Sequence, residues 1–215
     1  RGPDDESFDI QNNIGIGMKR LSIIDLENGM QPFFSSDKKI SIVFNGEIYN
    51  YKEIKKDLLE KGYKFRSDCD VEVLIPLYIE YGKKCIHMIN GMFAFVLTDF
   101  NKSEQWICRD RLGIKPLYYF ANDEQFIFSS ELSGIAKLCD ADLSKKSILQ
   151  YLACSYIPAP LTIYENIKKV MPGESLVVNL DKKKLKKEIY WNISNFETKS
   201  IQSDEAEDIL IKLIS

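Results

Sequence analysis

Phe44-Asn45-Gly46-Glu47-Ile48-Tyr49-Asn50-Tyr51 sets a side-chain amide beside a glycine where an apolar run, Ile40 to Phe44, ends. The Asn45 amide and the Gly46 N–H can together hold the oxyanion that forms when an amide carbonyl is attacked, and glycine lets a substrate approach the backbone closely. Asn-Gly is also a hairpin signal, so on these residues alone an oxyanion hole and a turn stand side by side. A zwitterion with a neutral amide would further need a cation for its α-carboxylate and an anion for its α-ammonium. Arg20 supplies a planar fork for the first and Asp70 a carboxylate for the second. Taken singly, Arg20 reads equally as a surface ion pair, Asp70 as a helix cap and Glu47 as a solvated turn residue.

Other chemistries find less support. The five cysteines, Cys69, Cys85, Cys108, Cys139 and Cys154, are odd in number and form no C-x-x-C pair, which fits core residues in a reducing compartment, here taken as the cytoplasm. The single histidine, His87, has no metal-ligand spacing around it, and a structural role is expected. Gly15-Ile16-Gly17 opens like a dinucleotide fingerprint, but Arg20 stands where the third glycine belongs.

With 215 residues, 45% hydrophobic and 28% charged, the chain can bury a sizeable core as a single soluble domain or as one domain plus a tail. A net charge of -3 gives no footprint for nucleic acid, and no apolar run approaches a membrane span. The basic run Lys182-Lys183-Lys184 with Lys186-Lys187 reads as a solvated hairpin tip.

The elements that must position these residues follow from periodicity. Strands are expected over Ile14 to Met18, Leu21 to Asp25 and Ile40 to Phe44. A helix from Tyr51 to Lys61 has Asn50 as its cap and Gly62 at its end; a second, Val71 to Tyr81, has Asp68 or Asp70 as its cap and Gly82 at its close. A third helical stretch covers Lys83 to Asn90. A meander follows: Met92 to Thr98, Gln105 to Arg109, Leu117 to Ala121 and Gln125 to Phe128. Then come a helix capped by Ser144, a hairpin of Ser175 to Leu180 with Leu185 to Trp191, and a polar linker over Asn192 to Ser203. Ala206, Ile209, Leu210, Leu213 and Ile214 recur at helical spacing beyond it.

These segments occur in an order that resembles the glutaminase domain of the glutamine-dependent asparagine synthetases, which are class II glutamine amidotransferases of the N-terminal-nucleophile hydrolase type. Arg1-Gly2-Pro3-Asp4 resembles the family's early turn, Arg20-Leu21-Ser22-Ile23-Ile24-Asp25 its glutamine-carboxylate segment, and Phe44 to Tyr51 its oxyanion segment. The similarity continues through Ser67 to Leu74, Gly91 to Phe95, Arg109 to Tyr119, Ser129 to Leu132, Tyr156 to Pro160 and Met171 to Glu174. The last two disfavour the glutaminase domains of glucosamine-6-phosphate synthase and of the purine amidotransferase.

The resemblance implies an α+β fold, a four-layer αββα sandwich with two stacked antiparallel sheets. It implies that Arg20 and the backbone of Leu21, Ser22, Ile23 and Ile24 hold the carboxylate of L-glutamine. Glu47 and Asp70 then lie near its amino group, and Asn45 and Gly46 form the oxyanion hole. The family's nucleophile is a cysteine at the mature amino terminus whose own α-amine is the base, whereas this sequence opens at Arg1. An N-terminal segment and an ATP-dependent synthetase domain are therefore expected to be missing, and the 215 residues alone are expected to be inactive. Residues 1–200 are assigned to the glutaminase domain, and 201–215 to a linker end and the synthetase domain's first helix. No cofactor is expected in the glutaminase domain, ATP and Mg²⁺ belong to the synthetase domain, and a homodimer is possible. Met18 stands where many relatives carry a histidine. A related amidotransferase with a sugar or other acceptor, and a non-catalytic glutamine-binding scaffold, stay open.

Overall fold

The computed structural model describes residues 5–20, 30–196 and 202–214. The described residues begin with a hairpin of β1 (Asp5–Gln11) and β2 (Ile14–Arg20), turned at Asn12 and Asn13, whose φ values are 48° and 67°. Asparagine tolerates this left-handed region better than most residues, which suits the pair to a two-residue turn. Then follow β3 (Phe33–Phe34), β4 (Ile40–Ile48), α1 (Tyr51–Glu60), a 3₁₀ turn (Asp70–Val73) and α2 (Leu74–Tyr81). A second 3₁₀ segment (Gly82–Met88) leads into β5 (Gly91–Asp99) and β6 (Glu104–Arg109). The rest comprises β7 (Tyr118–Ala121), β8 (Phe126–Ser129), α3 (Leu132–Leu138), α4 (Lys145–Cys154), β9 (Ile167–Lys169), β10 (Glu174–Asn179), β11 (Lys184–Ile189) and α5 (Ser203–Ile214).

Six strands form one antiparallel sheet in the order β11-β10-β6-β5-β4-β3, and three form another in the order β8-β7-β9. The inner strands of the large sheet, β10, β6, β5 and β4, are apolar on both faces, and period 2 splits their apolar runs between two cores. Phe44, Phe93, Phe95, Leu97, Trp106 and Cys108 face α1, α2 and the 3₁₀ segments, where they meet Ile54, Leu58, Leu74 and Leu77. Val43, Ala94, Val96, Ile107, Leu176 and Val178 face the other way, onto Leu117, Tyr119 and Val170 around the small sheet and Ile16 of the hairpin. Beyond the small sheet, Phe120 and Ile167 pack on Ile135 of α3. Four layers result: helices, sheet, sheet, helix. Each fully buried aromatic or leucine contributes about 1.5–3 kcal/mol by area.

The expected αββα sandwich is therefore the observed fold, with corrections at particular elements. The Ile40 strand does not end at Phe44; it continues to Ile48, because Asn45 to Ile48 stay in register with Ala94 to Gly91. Asn-Gly is thus inside a paired strand, and the hairpin alternative is excluded. Asn50 precedes α1 without capping it; its side chain instead donates to the Met88 carbonyl at 3.0 Å and accepts the Asn90 N–H at 2.9 Å. The helix expected from Val71 begins as 3₁₀ and turns α at Leu74, without a side-chain cap at its start. Within the basic run, Lys182 and Lys183 make the exposed tip, but Lys187 reaches the buried Tyr119 hydroxyl at 2.6 Å. The strand expected over Leu21 to Asp25 and the boundary near residue 200 lie outside the described residues. α5 forms as its spacing requires, with its apolar residues exposed.

Candidate active site

The site is built on the free edge of β4. In an antiparallel ladder, successive residues turn their N–H and C=O groups to opposite sides. Asp110 accepts the Phe93 N–H, and Phe93 O accepts the Asp110 N–H, so Phe93 bonds toward β6. Ala94 and its partner Asn45 therefore bond to each other, and Phe44, Gly46 and Ile48 turn their N–H groups outward from β5. β3 pairs only with Ser41 and Ile42, and the edge beyond them is open to side chains.

Two side chains close it. The Phe44 N–H donates to Gln31 Oε1 at 2.6 Å, while Gln31 Nε2 donates to the Phe44 carbonyl at 3.0 Å. Four residues on, the Ile48 N–H donates to Asp70 Oδ2 at 2.7 Å. Gly46 lies midway between these caps, and its outward N–H has no hydrogen-bond partner among the described residues. An unpaired donor fixed on a rigid strand is what an oxyanion hole requires.

Glycine is also needed here for the backbone itself. Gly46 has φ 151°, and a Cβ there would stand 2.0 Å from the Met92 carbonyl oxygen and 2.7 Å from Phe93 Cα. Gly91, opposite Ile48, is hemmed in likewise, with the Glu47 carbonyl oxygen 2.1 Å from a built Cβ. Phe93 and Gly46 are a non-hydrogen-bonded pair, the class in which opposite Cα atoms approach most closely.

Strand alternation places Asn45 and Glu47 on the face of Val43, toward the layer that holds Ile16 of β2. Both are half-buried. Arg20 is the last residue of β2, paired through its backbone with Asp5. Its side chain, and Leu21, Ser22, Ile23 and Ile24, lie outside the described residues. Asp70 is buried, and each carboxylate oxygen accepts a backbone N–H: Oδ2 from Ile48 and Oδ1 from Val71 at 2.9 Å. Burial pushes its carboxyl above the ordinary carboxylate range; the two N–H donors oppose that rise, and the negative charge of nearby Glu47 adds to it. Asp68, two residues earlier, points to solvent and pairs with Lys55 Nζ at 2.8 Å.

The structure thus brings together Asn45, Gly46, Glu47 and Asp70. Gln31 was not singled out from the sequence, because glutamine carries no chemistry by type and its backbone partner is 13 residues away. Asp110 is a second organiser. Its buried carboxylate accepts the N–H groups of Leu112, Ile114, Lys115 and Phe93, pinning the turn after β6 and the strand opposite Gly46. Arg109 braces the same turn through the carbonyls of Lys115, Val170 and Gly113.

Cys85, Cys108 and Cys139 sit in settings that disfavour thiolate. Cys85 is buried and its thiol is pushed up to about 12, and burial drives Cys108 well above the ordinary thiol range. Cys69 is packed in the helix-side core, and burial raises Cys139. His87 meets the Tyr190 ring edge-on at 6.3 Å, and no His, Cys, Asp or Glu group able to hold a metal occurs among the described residues. No helix among them is long and apolar enough to cross a membrane. A cavity of about 950 Å³ lies beside β3, lined by Phe33, Tyr63, Tyr78, Asp99 and Lys102, away from Asn45 and Gly46.

An amide and a backbone N–H lie side by side on the edge of β4 inside a four-layer αββα sandwich, the fold of the N-terminal-nucleophile hydrolases. The chain belongs to the glutamine amidotransferase domain family, which it matches over residues 1–191. It is 40% identical to asparagine synthetase [glutamine-hydrolyzing] 1 of Bacillus subtilis, over 84% of this chain and 29% of that protein. It is 38% identical to a putative asparagine synthetase [glutamine-hydrolyzing] 2 of Methanocaldococcus jannaschii, over 92% of this chain and 42% of that one. The chain therefore spans well under half the length of either relative. Among solved structures, a glutamine phosphoribosylpyrophosphate amidotransferase from B. subtilis shares the fold at TM-score 0.57 and 22% identity, over 82% of this chain and 35% of that one. An allosteric regulatory enzyme of purine biosynthesis does so at TM-score 0.60, with the same identity and coverage.

Proposed function

We propose that these residues form the glutaminase half of a glutamine-hydrolysing asparagine synthetase. The observation that carries this is the uncapped Gly46 N–H beside Asn45 on an edge of β4 that is otherwise closed at Phe44 and Ile48. In this reading Arg20 and the backbone of residues 21–24 take the α-carboxylate of glutamine, and Glu47 with Asp70 supplies negative charge for its ammonium. A cysteine thiolate elsewhere in the protein attacks the side-chain amide carbon, forming a C–S bond. Asn45 and Gly46 stabilise the resulting oxyanion; the leaving nitrogen takes the proton that the thiol gave up, the C–N bond breaks and ammonia leaves. Water hydrolyses the thioester to glutamate and regenerates the thiol. The ammonia serves an ATP- and Mg²⁺-dependent amidation of aspartate in the remaining part of the protein.

The test is Asn45→Ala in the full-length protein. Removing one oxyanion donor should lower the rate of ammonia release from glutamine by roughly 10²–10³, with KM for glutamine little changed. Synthesis supplied with free ammonia should persist. Equal loss of both activities would refute the assignment of Asn45.

A further inference from the structure

We infer that Gln31 is a positioning residue for the oxyanion hole: it stands in for a missing neighbour strand and fixes the peptide immediately before Asn45. This rests on the glutaminase reading above. β3 is only two residues long, so the ladder along β4 stops at Ile42. Past that point the edge should fray, since unpaired N–H and C=O groups at a sheet edge are held only by water or a chance partner. Gln31 prevents this with one planar amide that accepts from the Phe44 N–H at 2.6 Å and donates to the Phe44 carbonyl at 3.0 Å. That two-bond pattern is what an adjacent strand would supply.

Gln31 is itself fixed. It is buried, and its backbone carbonyl accepts the Ser7 hydroxyl of β1. The clamp therefore ties two other segments of chain, β1 and the one that carries Gln31, to the residue before Asn45. A rotation of the Phe44 peptide would re-aim both the Asn45 side chain and the Gly46 N–H, and donors of this kind act only when preorganised toward the developing charge. The role is geometric and belongs to the transition state. Loss of Gln31 should therefore lower kcat and leave glutamine binding alone.

The experiment uses the full-length protein with Gln31→Met and Gln31→Glu. For Gln31→Met, close in volume but without either hydrogen bond, kcat for ammonia release should fall about tenfold or more, KM should stay within about twofold, and ammonia-supplied synthesis should hold. In an Asn45→Ala background the Gln31→Met penalty should shrink, because the group it positions is gone. Gln31→Glu gives a pH signature. Protonated, the introduced carboxyl donates through O–H to the Phe44 carbonyl and accepts the Phe44 N–H; ionised, it only accepts. Its kcat relative to wild type should rise as pH falls, while the ratio for Gln31→Met stays flat. The described partners of Gln31, the Ser7 hydroxyl and the Phe44 backbone, do not titrate in that range.

Parallel loss of glutamine- and ammonia-supplied activities, an undiminished penalty in the Asn45→Ala background, or a flat pH ratio for Gln31→Glu would overturn the inference. If Gln31→Met does not fold, the pH ratio of Gln31→Glu decides alone. A wild-type protein that releases no ammonia from glutamine would sink the glutaminase reading at the first step, before any variant is compared.

Discussion

Asp70 Oδ2 accepts the Ile48 N–H at 2.7 Å across 22 residues of chain, joining the end of β4 to the start of the 3₁₀ turn that leads into α2. The bond places a buried carboxylate within two residues of Gly46 and beside Glu47. Its burial raises the Asp70 pKa above the ordinary 3.8. The sign of the pH effect follows by linkage: the folded protein holds this proton more tightly than the unfolded chain does. The stabilising contribution is complete below the unfolded pKa and is lost as pH rises through the raised folded value. Asp70→Asn cannot titrate. Urea unfolding of both proteins near pH 4 and pH 7 should show wild type losing stability relative to Asp70→Asn at the higher pH; a constant difference would mean that burial leaves Asp70 unperturbed.

Gly46 is expected to tolerate no side chain. Alanine would place Cβ 2.0 Å from the Met92 carbonyl oxygen in a conformation with φ 151°. Strain of this kind costs about 1–3 kcal/mol for the backbone alone, before β4 and β5 separate to relieve the clash. Gly46→Ala should lower the melting temperature and abolish glutamine hydrolysis together, whereas Asn45→Ala should affect hydrolysis while leaving the melt near wild type. A Gly46→Ala protein that melts like wild type would show that the two strands are further apart than described.

The αββα order was legible through the resemblance carried by the ordered motifs, and the structure fits it because apolar runs such as Phe93 to Leu97 and Trp106 to Cys108 divide between two cores. What escaped depended on partners distant in the chain. Asn45-Gly46 has the local signature of a turn, and only pairing with Phe93 and Ala94, almost fifty residues on, keeps it in a strand. Asn50 has the type and position of a helix cap, yet the turn at Met88 to Asn90 competes successfully for its amide. Asp70 was read as a cap or an ammonium ligand from its type, while its contact with Ile48 has no sequence signal. β1, β3 and β9 were missed because strands of two or three residues, or rich in acidic residues such as Asp5–Gln11, take their identity from the neighbour they pair with.

Asp110 provides a structural contrast to the site residues. Its buried carboxylate holds four backbone N–H groups, and leaving even one or two of them without an acceptor costs about 1–3 kcal/mol each. Asp110→Ala should therefore destabilise the fold by about 3 kcal/mol or more, lowering the denaturant midpoint and all activities of the full-length protein alike. Asp110→Asn keeps an acceptor and should recover part of the loss. A melt unchanged by Asp110→Ala would remove the turn after β6 from the set of supports behind Gly46.

Arg20 ends β2, the strand whose Ile16 packs in the same core as Val43 of β4. If it holds the glutamine carboxylate, Arg20→Ala should weaken glutamine binding by about 1.5–3 kcal/mol, a KM increase of about tenfold to a hundredfold. Ammonia-supplied synthesis bypasses this contact and should be unchanged. A matched loss of both activities in steady-state assays would make Arg20 a residue of the fold rather than of the substrate site.

The five cysteines lead to the last expectation. Nucleophilic attack needs thiolate, and a thiol pushed up to about 12, as at Cys85, is almost wholly protonated at neutral pH. Burial also drives Cys108 well above the ordinary thiol range, and Cys69 is enclosed among apolar side chains away from solvent. Cys154 is exposed at the end of α4 rather than on the edge of β4. The nucleophile is thus expected to be none of these five. The 215 residues alone should release no ammonia from glutamine, and serine at each of the five positions, one at a time, should leave glutamine hydrolysis by the full-length protein intact. Measured turnover by the 215-residue chain that disappears with one such substitution would overturn the N-terminal-nucleophile reading and assign attack to that internal thiol.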